Sequence, residues 1–243
     1  MNIPRIYQSC SLLPGEQTVL GTDATHHLLN VLRVKPGESI AVFNGTGGYY
    51  DAAIVEIGKH RIVVEIREFH PDDFESTLHL TLAQGISRGQ KMDMTLQKSV
   101  ELGVDTIIPV QSQYCSTRLK GEQLKKRMAH WQKILIAACE QCGRNRLPAL
   151  QEPVDFSEYV SARQDHLKII LNPYSSAGLT GLMMDSDRVI VMTGPEGGFS
   201  QEEISLSEQF GYHGVSLGPR ILRTETAAIA AITTCQVLWG DFR

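Results

Sequence analysis

Three segments of this 243-residue sequence combine residue types able to do chemistry. The most pronounced is Arg188-Val-Ile-Val-Met-Thr193-Gly-Pro-Glu-Gly-Gly198-Phe-Ser200, where a buried-type strand runs into a glycine-rich bend and a capped helix follows. Adjacent glycines let a ligand or another stretch of backbone approach closely, because no Cβ stands in the way. The amides of the bend and of the helix start can receive acceptor atoms. Leu217-Gly-Pro-Arg220-Ile-Leu-Arg223-Thr-Glu-Thr226 repeats the plan with two arginines, and Leu171-Asn172-Pro173 supplies a third strand end. Loops at the carboxyl ends of strands are where open α/β sheets place ligands. A purely structural turn into a helix has the same local pattern.

Other familiar constellations are weaker. There is no G-x-G-x-x-G after a strand and no G-x-x-x-x-G-K-[ST], so neither a common dinucleotide site nor a P-loop is expected. His26 and His27 are adjacent on a helical stretch, diverge by about 100° and cannot clamp one metal. Cys139-Glu-Gln-Cys142 is a lone C-x-x-C with no second pair, and reads as small residues on the inner face of a helix. No metal is expected. Gly85-Ile-Ser87-Arg-Gly89 matches a nucleophile elbow between strand and helix, with Asp187 and His213 following in the order an α/β-hydrolase uses. Against that reading, such an enzyme takes oxyanion donors from an earlier βα unit, and only strand-rich sequence precedes Ser87.

The elements that must position these loops fall into two regimes. Ser39–Asn44, Tyr49–Ile57 and Arg61–Phe69 are β-branched and aromatic strands separated by glycine turns, which suggests a small barrel. A helix capped by Thr22 or Asp23 interrupts them and stops at Val34-Lys-Pro36-Gly37. His70-Pro71-Asp72-Asp73 is a polar break, and the expected domains are residues 1–72 and 73–243. From Leu78 onward, strands alternate with long helices, the α/β signature. Leu78–Ala83, Thr106–Val110, Lys168–Leu171, Arg188–Thr193 and Val215–Leu217 read as strands. Lys91–Leu102, Glu122–Cys142 and Thr224–Leu238 read as helices, and Ser200-Gln-Glu-Glu203 as a capping box opening another that ends near Phe210.

Hydrophobic residues make up 42% and charged residues 21%, the balance of a globular chain with a real core. The longest apolar runs, Ile134–Cys139 and Ala227–Ile232, fall far short of the about 20 residues a membrane span needs. No apolar leader follows Met1, and five scattered cysteines read as reduced thiols, so a cytoplasmic location is expected. Net charge is −4, yet its distribution is uneven. Residues 76–150 carry 11 Lys/Arg against 5 Asp/Glu, whereas both flanking regions are acidic. Local clustering, more than pI, attracts phosphate. Lys125, Lys126 and Arg127 lie in this island, although such a run is also what a solvated helix face presents.

The two glycine-bearing segments resemble the last two motifs of the RsmE family, the bacterial 16S rRNA (uracil-N3)-methyltransferases of the SPOUT (trefoil-knot) superfamily. Pro4-Arg-Ile-Tyr7, Gln84-Gly-Ile-Ser-Arg-Gly-Gln-Lys-Met92, Gln97-Lys-Ser-Val-Glu-Leu-Gly103 and Ala138-Cys-Glu-Gln-Cys-Gly-Arg144 are similar to further family segments. A ribose 2′-O-methyltransferase would carry an Asn-Val-Ser-type motif where this chain has Arg223-Thr-Glu-Thr226.

The resemblance implies an N-terminal PUA-like β-barrel that helps hold RNA. It implies a C-terminal α/β knotted domain, a mostly parallel sheet with helices on both faces, that binds S-adenosylmethionine. The implied partners are 16S rRNA or the 30S ribosomal subunit and a second copy in a homodimer, with no membrane. The implied cofactor contacts are Leu171, Asn172, Pro173, Thr193, Gly194, Glu196, Gly197, Gly198, Leu217, Gly218 and Leu222. Arg220, Arg223 and Glu225 are the candidate catalytic residues: an arginine to stabilise a uracil oxyanion, and Glu225 to take a proton or hold an arginine. Glu225 also suits the positive end of its helix. Arg5, Arg88, Lys125, Lys126, Arg127 and Arg144 are candidate RNA contacts. The non-enzymatic alternative is an RNA-binding or ribosome-assembly factor that kept the barrel and lost the chemistry.

Overall fold

The computed structural model of the chain describes residues 3–162 and 166–242. Met1 and Asn2, which open the segment read for a leader, and Arg243 lie outside the described residues. The chain divides into two compact units.

The first unit comprises residues 1–75 together with 136–147. Its sheet is built from β1 (Arg5–Tyr7), β2 (Gln17–Val19), β3 (Ser39–Phe43), β4 (Tyr49–Gly58) and β5 (Arg61–His70), in the order β1-β3-β4-β5-β2. The hairpin of β4 and β5 carries two register shifts, which let ten-residue strands bend. Residues of alternating type send Ile40, Val42, Ile54, Ile62, Val64 and Ile66 into one core with Ile6 and Leu28. The helix expected to be capped by Thr22 or Asp23 is present as α1 (Thr22–His26), with both residues inside it and Gly21 at its N-cap, and it continues as a π-helical turn over His27–Leu32 that ends at Arg33, held at φ 55°. The expected division at residue 72 leaves residues 136–147 in the second domain, whereas in the structure they pack with the first unit. The reason is polar. Asn145 donates to the Asp72 carbonyl at 2.7 Å, and Leu147 N–H donates to the Gly45 carbonyl at 3.2 Å.

The second unit holds residues 76–135 and 148–243. Its strands are β6 (His79–Gly85), β7 (Thr106–Gln111), β8 (Ala149–Leu150), β9 (Val154–Asp155), β10 (Leu167–Leu171), β11 (Arg188–Thr193) and β12 (His213–Val215). All pair in parallel, in the order β12-β10-β11-β6-β7-β8, with β9 also against β7. Its helices are α2 (Gly89–Glu101), α3 (Gly121–Cys142), α4 (Phe156–Ser161), α5 (Gln201–Gln209) and α6 (Thr224–Trp239), and the last turns of α3 belong to the first unit. In α2 the buried Met92, Thr95, Leu96, Ser99 and Val100 follow helical spacing. Ile190 and Met192 of β11 share a core with α4 and α5, so Val189 and Val191 face the opposite side of the sheet, where α6 packs against β11 and β6. Among the described residues no helix is long and apolar enough to cross a membrane.

Candidate active site

Parallel pairing sets the carboxyl ends of β10, β11 and β12 side by side, and their loops open into one cavity of about 610 Å³. All eleven expected cofactor contacts line it: Leu171, Asn172 and Pro173 after β10, Thr193, Gly194, Glu196, Gly197 and Gly198 after β11, and Leu217, Gly218 and Leu222 after β12. Sequence reasoning missed Lys91 and Tyr114, contributed from α2 and from the loop after β7, and the exposed Tyr174 and Ile221 at the rim. The loop of Tyr114 has no glycine beside that residue to mark it, and the glycines before Lys91 read as part of a nucleophile elbow.

The glycines serve the loop's own folding first. A Cβ on Gly194 would stand 2.9 Å from the Gly198 backbone, and one on Gly197 would meet the Tyr114 side chain at 2.8 Å. Gly198 has open space around its missing Cβ but takes φ +70°. The loop is tied down by Glu196. Its carboxylate accepts the Arg88 backbone N–H at 3.1 Å and stands 3.4 Å from the Lys91 ammonium. Burial alone would raise the Glu196 pKa. Its own backbone N–H, that of Arg88 and the Lys91 charge outweigh this and hold it below the usual carboxylate range. The capping box at α5 is formed as expected: Glu203 N–H donates to the Ser200 hydroxyl, and Ser200 N–H to the Glu203 carboxylate.

The three candidate catalytic residues separate. Arg220 and Arg223 line the cavity, Arg223 as the residue preceding α6. Glu225 does not line it. It is buried in the first turn of α6, and its Oε2 has no hydrogen-bond partner among the described residues.

Two of the candidate RNA contacts are engaged within the chain itself. Arg144 is 4% exposed and pairs through Nε and Nη2 with both carboxylate oxygens of Glu75. Arg5 is half-buried. It donates to the Gly143 carbonyl and Asn145 side chain and stacks over Tyr49, and burial lowers its pKa. Arg88, Lys125 and Lys126 are exposed and Arg127 is partly so, with Lys125 held at 2.8 Å by Glu122.

The hydrolase alternative fails on placement. Ser87 is 6% exposed and donates to the Gly85 carbonyl at 3.1 Å. Asp187 precedes β11, beside His79 at the start of β6, about 20 Å of strand away from Ser87. Among the described residues no group of His, Cys, Asp and Glu is arranged to hold a metal ion.

Comparison with known proteins agrees along the whole chain. Residues 74–236 match the model of an RNA methyltransferase domain, and residues 20–67 that of an RNA methyltransferase PUA domain. The chain is 39% identical over 244 residues to ribosomal RNA small subunit methyltransferase E of Buchnera aphidicola from Schizaphis graminum, covering 98% of each chain. It is 28% identical to the Bacillus subtilis protein of the same name, covering 90% and 91%. Among solved structures, one of ribosomal RNA small subunit methyltransferase E from Neisseria gonorrhoeae bound to S-adenosyl methionine superposes with a TM-score of 0.92 at 42% identity over both full chains. A putative methyltransferase from Legionella pneumophila with bound SAM gives 0.97 at 41%, again over both full chains.

Proposed function

The chain belongs to the ribosomal RNA small subunit methyltransferase E family, and on that premise we propose that it transfers a methyl group from S-adenosylmethionine to N3 of one uridine in 16S rRNA. The observation that carries this reading is the convergence of three strand-end loops on one cavity, with two arginines at its edge. A volume of about 610 Å³ suits a ligand of cofactor size. Leu171, Pro173, Leu217 and Leu222 supply apolar walls, Asn172 a polar group, and the φ +70° turn at Gly198 carries the backbone round the pocket without a side chain.

S-adenosylmethionine supplies an electrophilic methyl on a sulfonium. The new bond forms from uracil N3 as the sulfur–methyl bond breaks with its electron pair left on sulfur, and the N3 proton passes to solvent. The chain's part is to bring the partners together, which converts a bimolecular step into a local one. It must also favour the N3 anion, because neutral uracil is a poor nucleophile there. Arg220 and Arg223 stand where a guanidinium can stabilise a uracil oxyanion. Glu225, off the cavity, complements the positive end of α6.

In this reading residues 1–72 with residues 136–147 form the RNA-holding barrel, and the rest of residues 73–243 the methyltransferase domain. The protein acts in the cytoplasm on 16S rRNA or the 30S subunit, as a homodimer. The exposed Val237 and Leu238 on α6 favour a second copy there, and light scattering at micromolar concentration checks it. The deciding experiment incubates the protein with methyl-labelled S-adenosylmethionine and unmodified small subunits and identifies the labelled nucleoside. The expected product is N3-methyluridine. Label in any other nucleoside, or no transfer, overturns the proposal.

A further inference from the structure

Behind the cavity, and outside its lining, lies Gln84 at the end of β6, 0% exposed and fully hydrogen-bonded. Its Nε2 donates to the Gly85 carbonyl at 2.8 Å and to the Thr224 hydroxyl at 3.1 Å, while its Oε1 accepts from the Thr193 hydroxyl. Thr224 in turn donates to the Gly194 carbonyl at 2.6 Å. Thr193 is the residue opposite Gln84 in the parallel ladder of β6 and β11. One side chain thereby joins the end of β6, the end of β11, the glycine-rich loop and the first residue of α6.

The neighbouring residues fit the same purpose. A Cβ on Gly85 would lie 2.5 Å from Pro195 N, so the loop is seated directly on Gly85. Ser87 donates to the Gly85 carbonyl and lies 3.4 Å from the Thr224 hydroxyl. The Gly-x-Ser-x-Gly run that looks like a nucleophile elbow is the floor of this arrangement.

We propose that Gln84, Thr193 and Thr224 form a buried latch that fixes the glycine-rich loop and the start of α6 at the spacing the cofactor cavity needs, with Gln84 a positioning residue that touches neither substrate nor cofactor. The proposal rests on the assignment of the cavity to S-adenosylmethionine. A buried polar network of this kind defines one geometry only while every member is satisfied.

The structure also supplies a control. Gln236, at the far end of α6, is equally buried, donates to the Leu102 carbonyl at 2.9 Å and accepts from the Ser76 hydroxyl at 2.9 Å, but lies outside the cavity lining. The experiment measures S-adenosylmethionine affinity by titration calorimetry and the melting temperature for wild type, Gln84→Leu, Thr224→Val, Thr224→Ser and Gln236→Leu. Gln84→Leu and Thr224→Val are expected to weaken binding about tenfold or more, the range expected when buried partners are left unmade. Thr224→Ser keeps the hydroxyl and should restore binding to near wild type. Gln236→Leu should lower the melting temperature and leave affinity within about twofold. Should Gln84→Leu fail to fold, the two Thr224 variants carry the comparison. Unchanged affinity in Thr224→Val, or an equal loss in Gln236→Leu, overturns the latch. A wild type that does not bind S-adenosylmethionine instead overturns the assignment of the cavity.

Discussion

The backbone of Gly198 lies 2.9 Å from the point where a Cβ on Gly194 would stand. Real Cβ contacts of that length do not occur, so Gly194→Ala must push the two halves of the loop apart. Gly198→Ala meets no atom within 4 Å and bears only the left-handed strain of φ +70°, about 1–2 kcal/mol. We expect Gly194→Ala to abolish S-adenosylmethionine binding in a calorimetric titration and Gly198→Ala to weaken it by about tenfold. Equal effects would mean that the close approach does not shape the pocket.

Glu196 links this loop to α2, and its carboxyl is held below the ordinary range. A lowered folded-state pKa means stability that is present above the unfolded pKa of about 4.3 and is lost as pH falls through the folded value. Urea unfolding of wild type and Glu196→Gln should therefore differ at pH 7 by no more than about 1 kcal/mol, as for a partly exposed pair. That difference should shrink as pH drops below 4. A gap that persists or widens in acid contradicts the assignment of the anchor to the ionised carboxylate.

Arg144 offers a sharper test of structure against binding. Removing one partner of a buried pair leaves the other charge uncompensated, which costs about 3–5 kcal/mol. Arg144→Ala should destabilise the first unit on that scale, and Arg144→Met with Glu75→Leu should recover most of the loss. Were Arg144 a phosphate contact, Arg144→Ala would instead leave the urea midpoint alone and lower the salt dependence of RNA binding.

For the basic island, reversal of Lys126 and Arg127 to Glu is expected to weaken RNA binding and lower the slope of log K against log salt by about 2. Adding Lys125→Glu should change the slope less than either of these, because Glu122 already holds that ammonium. S-adenosylmethionine affinity should stay unchanged. An unaltered slope in the double reversal would leave the island a solvated helix face.

Burial raises the thiol pKa values of Cys139 and Cys235 to about 12. At pH 8 neither forms appreciable thiolate, the reactive species. A maleimide probe should modify the exposed Cys10 rapidly and both buried thiols only on denaturation. Rapid labelling of Cys139 in the folded protein would reopen a redox role for its C-x-x-C.

Legibility tracked the range of the interaction that decides each feature. The α5 start was readable because Ser200 and Glu203 bond each other three residues apart. The loops of the cavity were readable because strand, glycine bend and helix are contiguous. The short α4 has no span over which a helical period can show, and β12 begins two residues earlier than its apolar run suggests, at His213 instead of Val215. The strand order β10-β11-β6 could not be read, since parallel neighbours are chosen by packing between distant segments. Arg144 shows the same limit at one residue. Its neighbours in sequence make it look like the rest of a basic run, and only Glu75, 69 positions away, makes it a buried pair.

The segment 136–147 also sets a timetable. The first 75 residues contain most of the first unit, yet Asn145, Arg146 and Leu147 close hydrogen bonds and ion pairs to Asp72, Asp73 and Gly45. During synthesis at about 5–20 residues per second, the amino-terminal sheet waits on the order of 4–15 s for those contacts to become available. Until then the Glu75 carboxylate that Arg144 will enclose remains in water. The unit that emerges from the ribosome first is therefore completed only after residues 76–135 of the second unit have been made, and a chain truncated after residue 75 is a sheet without its clasp.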